Sequence, residues 1–240
     1  MASIKTPEEI AIIKRAAKAT QVVFAGALPL IRVGATEREI AGAMEAIALK
    51  LEGVSGLAFP PVIASGPNGA QPHAEVTDRV FESGDFVTID FGVMVDGYAS
   101  DMTRTFLLGS VSQTQRRIYD SVKRSQSAGL SAAKAGMACA KLDAVCRDII
   151  DKDGYGEYFI HTTGHGLGNE VHEDPRIGKN SDIFLETGMV VTIEPGIYIE
   201  GLGGVRIEDT VVITDTGCEV ITPKIPKNRV PIEKLLSLMD

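Results

Sequence analysis

Residues 82–92 read Glu-Ser-Gly-Asp-Phe-Val-Thr-Ile-Asp-Phe-Gly, and residues 186–196 read Glu-Thr-Gly-Met-Val-Val-Thr-Ile-Glu-Pro-Gly. The second stretch follows the first at an offset of 104 and keeps six of its eleven positions. Three more positions exchange like for like: Ser83 for Thr187, Phe86 for Val190 and Asp90 for Glu194, so the carboxylate is retained. Both copies run on in step through Val95-Asp96-Gly97 and Ile199-Glu200-Gly201. Each then reaches a second carboxylate with a threonine two residues later, Asp101 with Thr103 and Glu208 with Thr210. The second pair is offset by 107, so the later copy carries three extra residues around Gly201 to Gly204, which reads as a longer hairpin turn.

The order of elements repeats around these copies. Thr6-Pro7-Glu8-Glu9 is an N-cap, a proline at the first helical position and an acidic first turn, and it predicts a helix to about Ala27. Thr36 and Glu39 form a capping box ahead of Ile40, Met44, Ile47 and Leu51, one helical face that Gly53 ends. Phe59 to Ala64 is a strand candidate weakened by Pro60 and Pro61, and a polar loop from Ser65 to Ala70 leads to His73. Phe86 to Val95 and Ala99 to Leu108 are strand-like. In the second half, Gln113 to Ala135 suits a helix closed by Gly136, and Ala140 to Asp151 suits another closed by Gly154. The expected organisation is one domain of two related halves, about 6–110 and 111–222, followed by a strap, 223–240, with a short amphipathic stretch from Ile232 to Met239.

Composition narrows the function classes. The chain has 240 residues, 44% hydrophobic and 23% charged, enough for one sizeable core. No apolar run approaches the roughly 18 residues needed to span a bilayer, and the first residues lack the apolar region of a signal peptide. We expect a cytoplasmic protein. A net charge of −8 argues against nucleic acid or an anionic membrane as partner. The three cysteines, Cys139, Cys146 and Cys218, form no paired framework, and the first two, seven apart on an expected helix, read as small core residues.

Taken singly, Asp90 or Asp101 would be a strand-end carboxylate facing water. Repetition changes that reading. Four carboxylates on two related hairpins converge between the halves, where like charges raise one another's pKa unless a divalent metal neutralises them. Four carboxylates and one neutral imidazole carry charge −4, the amount two divalent cations offset. His165, between Gly164 and Gly166, is the candidate imidazole, with the flanking glycines clearing space for close approach. It lies in the chain's densest polar cluster, Phe159 to Gly178, which also holds His161 and His172.

The set Asp90-Phe-Gly, Asp101-Met-Thr-Arg-Thr, Thr163-Gly-His165-Gly-Leu-Gly, Glu194-Pro-Gly-Ile-Tyr198 and Val-Arg206-Ile-Glu208-Asp resembles the pita-bread metallopeptidases, which comprise Xaa-Pro dipeptidase, aminopeptidase P and methionine aminopeptidase. The resemblance covers about residues 5 to 222. It implies an α+β pita-bread fold of two pseudo-symmetric halves, with a curved antiparallel sheet covered by helices. It also implies a dinuclear centre in which Asp90 binds one metal, His165 and Glu194 the other, and Asp101 and Glu208 bridge. Manganese, cobalt or zinc would serve, and iron is allowed.

By resemblance the activity is hydrolysis of an N-terminal peptide bond, Xaa-Pro above others, by a metal-bridging hydroxide. Glu194 would shuttle the proton, and His172 or His73 would donate to the oxyanion. His161 and Arg176 match positions used around the peptide substrate; Arg206, Thr103 and Thr192 would support the ligands. Glu194-Pro-Gly-Ile-Tyr and Arg206-Ile-Glu208-Asp favour the Xaa-Pro branch. Two alternatives stay open, a methionine-aminopeptidase-like enzyme and a non-catalytic binding module on the same fold. The separate N-terminal domain common among prolidases is expected to be absent, and a homodimer is compatible with the family.

Overall fold

The computed structural model describes residues 4–222, 225–227 and 232. Helix α1, Pro7–Ala27, starts at a capping box in which the Glu9 amide donates to Thr6 Oγ1 at 3.3 Å and the Thr6 amide to Glu9 Oε2 at 2.7 Å. Helix α2, Glu37–Ala48, repeats the device with Thr36 and Glu39. Leu51 and Gly53 fall beyond its end, and Gly53 sits at φ +81° in the turn that follows. Strands β1, Val54–Leu57, and β2, Val62–Ser65, come next, so the Phe59 to Ala64 expectation shifts past the two prolines, which have no amide hydrogen for a ladder.

The long strand read over Phe86 to Val95 is two strands, β3, Phe86–Phe91, and β4, Val93–Val95. The break is at Gly92, where a Cβ would come within 1.9 Å of the Ser100 carbonyl oxygen, so only glycine lets the chain bend there. Likewise β5, Tyr98–Ala99, separates from β6, Met102–Leu107. In the second half follow α3, Gln113–Ala132, α4, Cys139–Lys152, and strands β7, Gly164–Gly166, β8, Glu173–Ile177, β9, Val190–Ile193, β10, Gly196–Ile199, β11, Gly203–Arg206, β12, Asp209–Ile213, and β13, Cys218–Val220. Both helices stop close to the expected glycines, which lie just outside them at positive φ.

All pairings are antiparallel, in sheets ordered β2-β3-β6, β1-β4-β5, β13-β12-β9-β7-β8 and β10-β11. Alternation along β3 sends Val87, Ile89 and Phe91 into a core shared with Phe24, Ile40 and Met44 of α1 and α2. Along β9, Val191 and Ile193 enter a second core with Ile118, Val122, Leu142 and Cys146 of α3 and α4. Each helix pair thus backs one copy of the repeated hairpin, and Thr88 of β3 reaches across to the Gly204 carbonyl of the other half at 2.9 Å. Cys139 and Cys146 are core residues. The hairpin from β10 to β11 turns through Glu200, Gly201 and Leu202, longer than the Asp96-Gly97 turn between β4 and β5. Most of the expected strap lies outside the described residues, as does the amphipathic stretch beyond Ile232; Ile225 and Ile232 themselves are buried in the first core.

Candidate metal centre

Five side chains reach one place from five segments on or beside the strands. Asp90 is on β3, Asp101 immediately precedes β6, His165 is the middle residue of β7, Glu194 directly follows β9, and Glu208 lies between β11 and β12. Oxygen atoms of Asp101 and Glu208 and a ring nitrogen of His165 all lie within 4.8 Å of one another. His165 Nε2 stands 3.1 Å from Glu194 Oε1 and 3.7 Å from Asp101 Oδ2. Its other nitrogen, Nδ1, is 3.0 Å from the Gly166 carbonyl, which can only accept, so Nδ1 carries a hydrogen and Nε2 faces the carboxylates. The glycines beside His165 have a different reason from the expected one. A Cβ on Gly164 would meet the Thr192 carbonyl at 2.0 Å and one on Gly166 the Asp174 carbonyl at 2.2 Å, so they admit neighbouring backbone rather than a ligand.

Three oxygens test what the cluster can hold. Among the described residues, Asp90 Oδ1, Asp101 Oδ1 and Glu208 Oε1 are buried without any hydrogen-bond partner. Burial, then the charge of Glu208 and its neighbours, drives the Asp101 pKa well above the usual carboxylate range. Burial and the charge of Glu194 do the same for Glu208. Orphaned buried carboxylate oxygens are costly, and hard oxygen donors with a single imidazole are the donor set of a divalent cation. The residues fit such an ion. Burial would raise Glu194 as well, but the hydrogen bond and charge of His165 hold it down at about 2.

Hydroxyls and one arginine fix the carboxylates. Thr192 Oγ1 accepts from the His165 amide at 3.1 Å and donates to Glu194 Oε1 at 2.9 Å. Thr103 Oγ1 donates to Glu208 Oε2 at 2.6 Å and accepts from Arg206 Nε at 3.1 Å. The buried Arg206 guanidinium also donates to Asp90 Oδ2 at 2.7 Å, to the Tyr198 hydroxyl at 2.7 Å and to the Pro72 carbonyl at 3.0 Å. Tyr198, held protonated by burial that lifts its pKa to about 12, stands 3.0 Å from His161 Nε2, while His161 Nδ1 is 2.7 Å from the Thr162 carbonyl. Both ring nitrogens of His161 are therefore engaged, and burial lowers its pKa to about 4, so the ring is neutral.

Above this floor opens a cavity of about 1010 Å³, whose wall includes His73, His161, His172 and Arg176. His73, His172 and Arg176 are exposed to it. The His172 ring packs 4.3 Å from that of His165, and burial with the His165 charge keeps it below the usual imidazole range. Of the residues singled out from the sequence, His73, Asp90, Asp101, His161, His165, His172, Arg176, Glu194 and Arg206 line this cleft, while Glu208, Thr103 and Thr192 join them only through the contacts above. Tyr198 was visible only as the last letter of a motif; its part in joining Arg206 to His161 depends on a fold in which β10 and β11 pair. No sequence signal marks the Pro72 carbonyl as a partner of Arg206.

Comparison with known proteins fits this geometry. Residues 11–215 match the model of metallopeptidase family M24. The chain belongs to that family. It is 47% identical over 219 residues to an Xaa-Pro dipeptidase of Pyrococcus furiosus, with 91% of this chain and 63% of the relative covered. An Xaa-Pro dipeptidase of Lactobacillus helveticus is 46% identical, over 91% of this chain and 59% of the relative. Among solved structures, an Xaa-Pro dipeptidase from Bacillus anthracis superposes with a TM-score of 0.92 at 46% identity, covering 95% of this chain and 64% of that one. Aminopeptidase P from E. coli gives a TM-score of 0.87 at 30% identity, covering 98% and 59%. The fold of this M24 chain is the pita-bread fold, and the chain spans about 63% of the length of the first curated relative. No described helix is long and apolar enough to cross a membrane.

Proposed function

We propose that this M24 chain is the catalytic region of a metallopeptidase that hydrolyses an N-terminal peptide bond, Xaa-Pro by preference. The observation that carries the reading is the set of partnerless oxygens on Asp90, Asp101 and Glu208 beside His165 Nε2, at the floor of a peptide-sized cavity. Asp90, Asp101, His165, Glu194 and Glu208 would hold two divalent ions, manganese or cobalt foremost. When bound, such ions supply Lewis acidity and acidify water for attack on a carbonyl.

The protein's own groups do the rest. Glu194, kept ionised and placed by Thr192, takes a proton and passes it to the leaving nitrogen, which is proline's where Xaa-Pro is cut. His172, whose pKa burial holds below the usual imidazole range, offers an N–H to the developing oxyanion, and His73 is the second candidate donor. Arg176 gives the wall a positive charge for a substrate carboxylate. His161 meets substrate through its ring edge, since Tyr198 and the Thr162 carbonyl occupy its nitrogens. Arg206 holds the Asp90 carboxylate in its orientation. The relatives' names support the Xaa-Pro preference. A cytoplasmic homodimer containing manganese is the finer form of this reading.

The test is cleavage of Xaa-Pro dipeptides, longer Xaa-Pro peptides and Met-Ala peptides with added Mn²⁺ or Co²⁺, alongside metal analysis. Preferred cleavage of Xaa-Pro substrates, lost together with the metal in His165→Ala, is expected. Faster release of methionine from Met-Ala peptides would move the chain to the methionine aminopeptidase branch.

A further inference from the structure

Glu37 is the first residue of α2 and is fully buried, yet it belongs to none of the groups that form the cleft floor. Both its oxygens are saturated. Oε1 accepts from the Ser65 amide at 2.7 Å and the Ser65 hydroxyl at 2.8 Å. Oε2 accepts from the Thr77 amide at 2.9 Å, the Thr77 hydroxyl at 2.6 Å and Asn68 Nδ2 at 2.9 Å. One carboxylate thus ties together the two ends of a loop, Ser65 and Thr77, that are twelve positions apart. Between them the loop carries His73 into the cavity and presents the Pro72 carbonyl to Arg206 Nη1.

The loop is also pressed on the opposite half. A Cβ on Gly204 of β11 would meet the Gly69 carbonyl at 2.1 Å, and one on Gly203 the Gly66 carbonyl at 2.7 Å. Two residues beyond Gly204 on the same strand is Arg206. Five donors at a helix N-terminus suit a carboxylate even in full burial. No other side chain type fits. Each oxygen faces a backbone N–H that can only donate, so the amide of glutamine would turn N–H against N–H in either orientation. The position is also not a product of the duplication. Thr36 before α2 and Ala138 before α4 occupy matching bridges, to Val80 and Phe184, which makes Cys139 the counterpart of Glu37.

We propose that Glu37 is a positioning residue, which fixes the 65–77 loop so that His73 and the Pro72 carbonyl stand at the cleft. Only the metal and kinetic arms of its test rest on the peptidase reading. In the manganese-loaded full chain, Glu37→Gln should leave the metal stoichiometry unchanged. It should speed amide hydrogen exchange in peptides covering 66–77 by on the order of tenfold, with other regions unmoved. The His73 imidazole resonances, read with diamagnetic Zn²⁺ in place of Mn²⁺, should shift in the same variant. On Xaa-Pro dipeptide, Glu37→Gln should lose about tenfold in kcat/KM, and the double variant with His73→Ala should lose little beyond His73→Ala alone. Thr77→Val, which deletes one of the five donors together with the acceptor of the Arg79 amide, should show the same exchange pattern at smaller amplitude and carries the test if Glu37→Gln does not fold. Unchanged exchange and unchanged His73 resonances in the folded variants would overturn the proposal, as would losses that multiply in the double variant. Because exchange and resonances need no turnover, an inactive wild type would sink the peptidase reading while leaving this one decided.

Discussion

The helices that open the two copies, α2 and α4, do similar work with different residues. In the first half Glu37 at the start of α2 grips Ser65 at the end of β2. In the second half the position matching Glu37 is Cys139, buried in the core, and the grip comes from Asp143 one turn later. Asp143 accepts from Thr163 Oγ1 at 2.8 Å, just before the strand that bears His165, and from Arg147 at 2.9 and 2.8 Å. Arg147 in turn donates to the carbonyls of Phe159 and His161. Duplication supplied two carboxylate-bearing hairpins. What each half adds around its hairpin was settled separately, a loop with one histidine in the first and the histidine-rich run in the second.

The strongest way to break this comparison is at the shared floor. Asp101→Ala and His165→Ala come from different halves and should be equally severe, each removing bound metal in elemental analysis and peptidase activity in assay. A variant that kept both would separate the halves and undo the common centre. Chelation should reproduce the effect in the wild type. With the metal gone, the carboxylates repel one another, and the Tm measured by calorimetry should fall and recover on adding Mn²⁺.

Next in size is the arginine bridge. Tyr198→Phe removes the hydroxyl that joins Arg206 to His161, and activity should drop by about 10- to 100-fold with metal content preserved. Equal loss of metal would place Tyr198 closer to the ions than its contacts indicate. Asp143→Ala sharpens the contrast from the stability side. Leaving Arg147 buried and unpaired should cost about 3 kcal/mol in urea denaturation. A neutral result would mean that water already serves that guanidinium. The smallest effect belongs to contacts between the halves at the surface. Lys14 of α1 reaches Glu219 of β13 at 2.7 Å with both side chains well exposed, and Lys14→Ala should change stability by no more than about 0.5 kcal/mol.

Much of this was legible before any coordinates. The N-cap and proline at Thr6-Pro7 and the capping box at Thr36 fixed where α1 and α2 begin because the signal is local, contained in four consecutive residues. The repeated Val-Thr-Ile runs placed two strands, each with a carboxylate at its end. Other features resisted for a physical reason in each case. The break at Gly92 depends on the Ser100 carbonyl lying against it, and the glycines around His165 answer to the backbones of Thr192 and Asp174. Nothing local in the sequence marks Glu37, since its five donors come from 28 to 40 positions further along the chain.

The sequence by itself determined the duplication and the helix starts, and it offered four repeated carboxylates with His165 as candidate ligands, because these are written in short-range pattern or in the repeat. Tertiary structure alone decided that Asp90 Oδ1, Asp101 Oδ1 and Glu208 Oε1 are left without partners while Thr103, Thr192 and Arg206 satisfy their neighbours. Whether a buried oxygen is paired depends on which distant donors the packing of two halves brings within about 3 Å, and no local pattern encodes that distance.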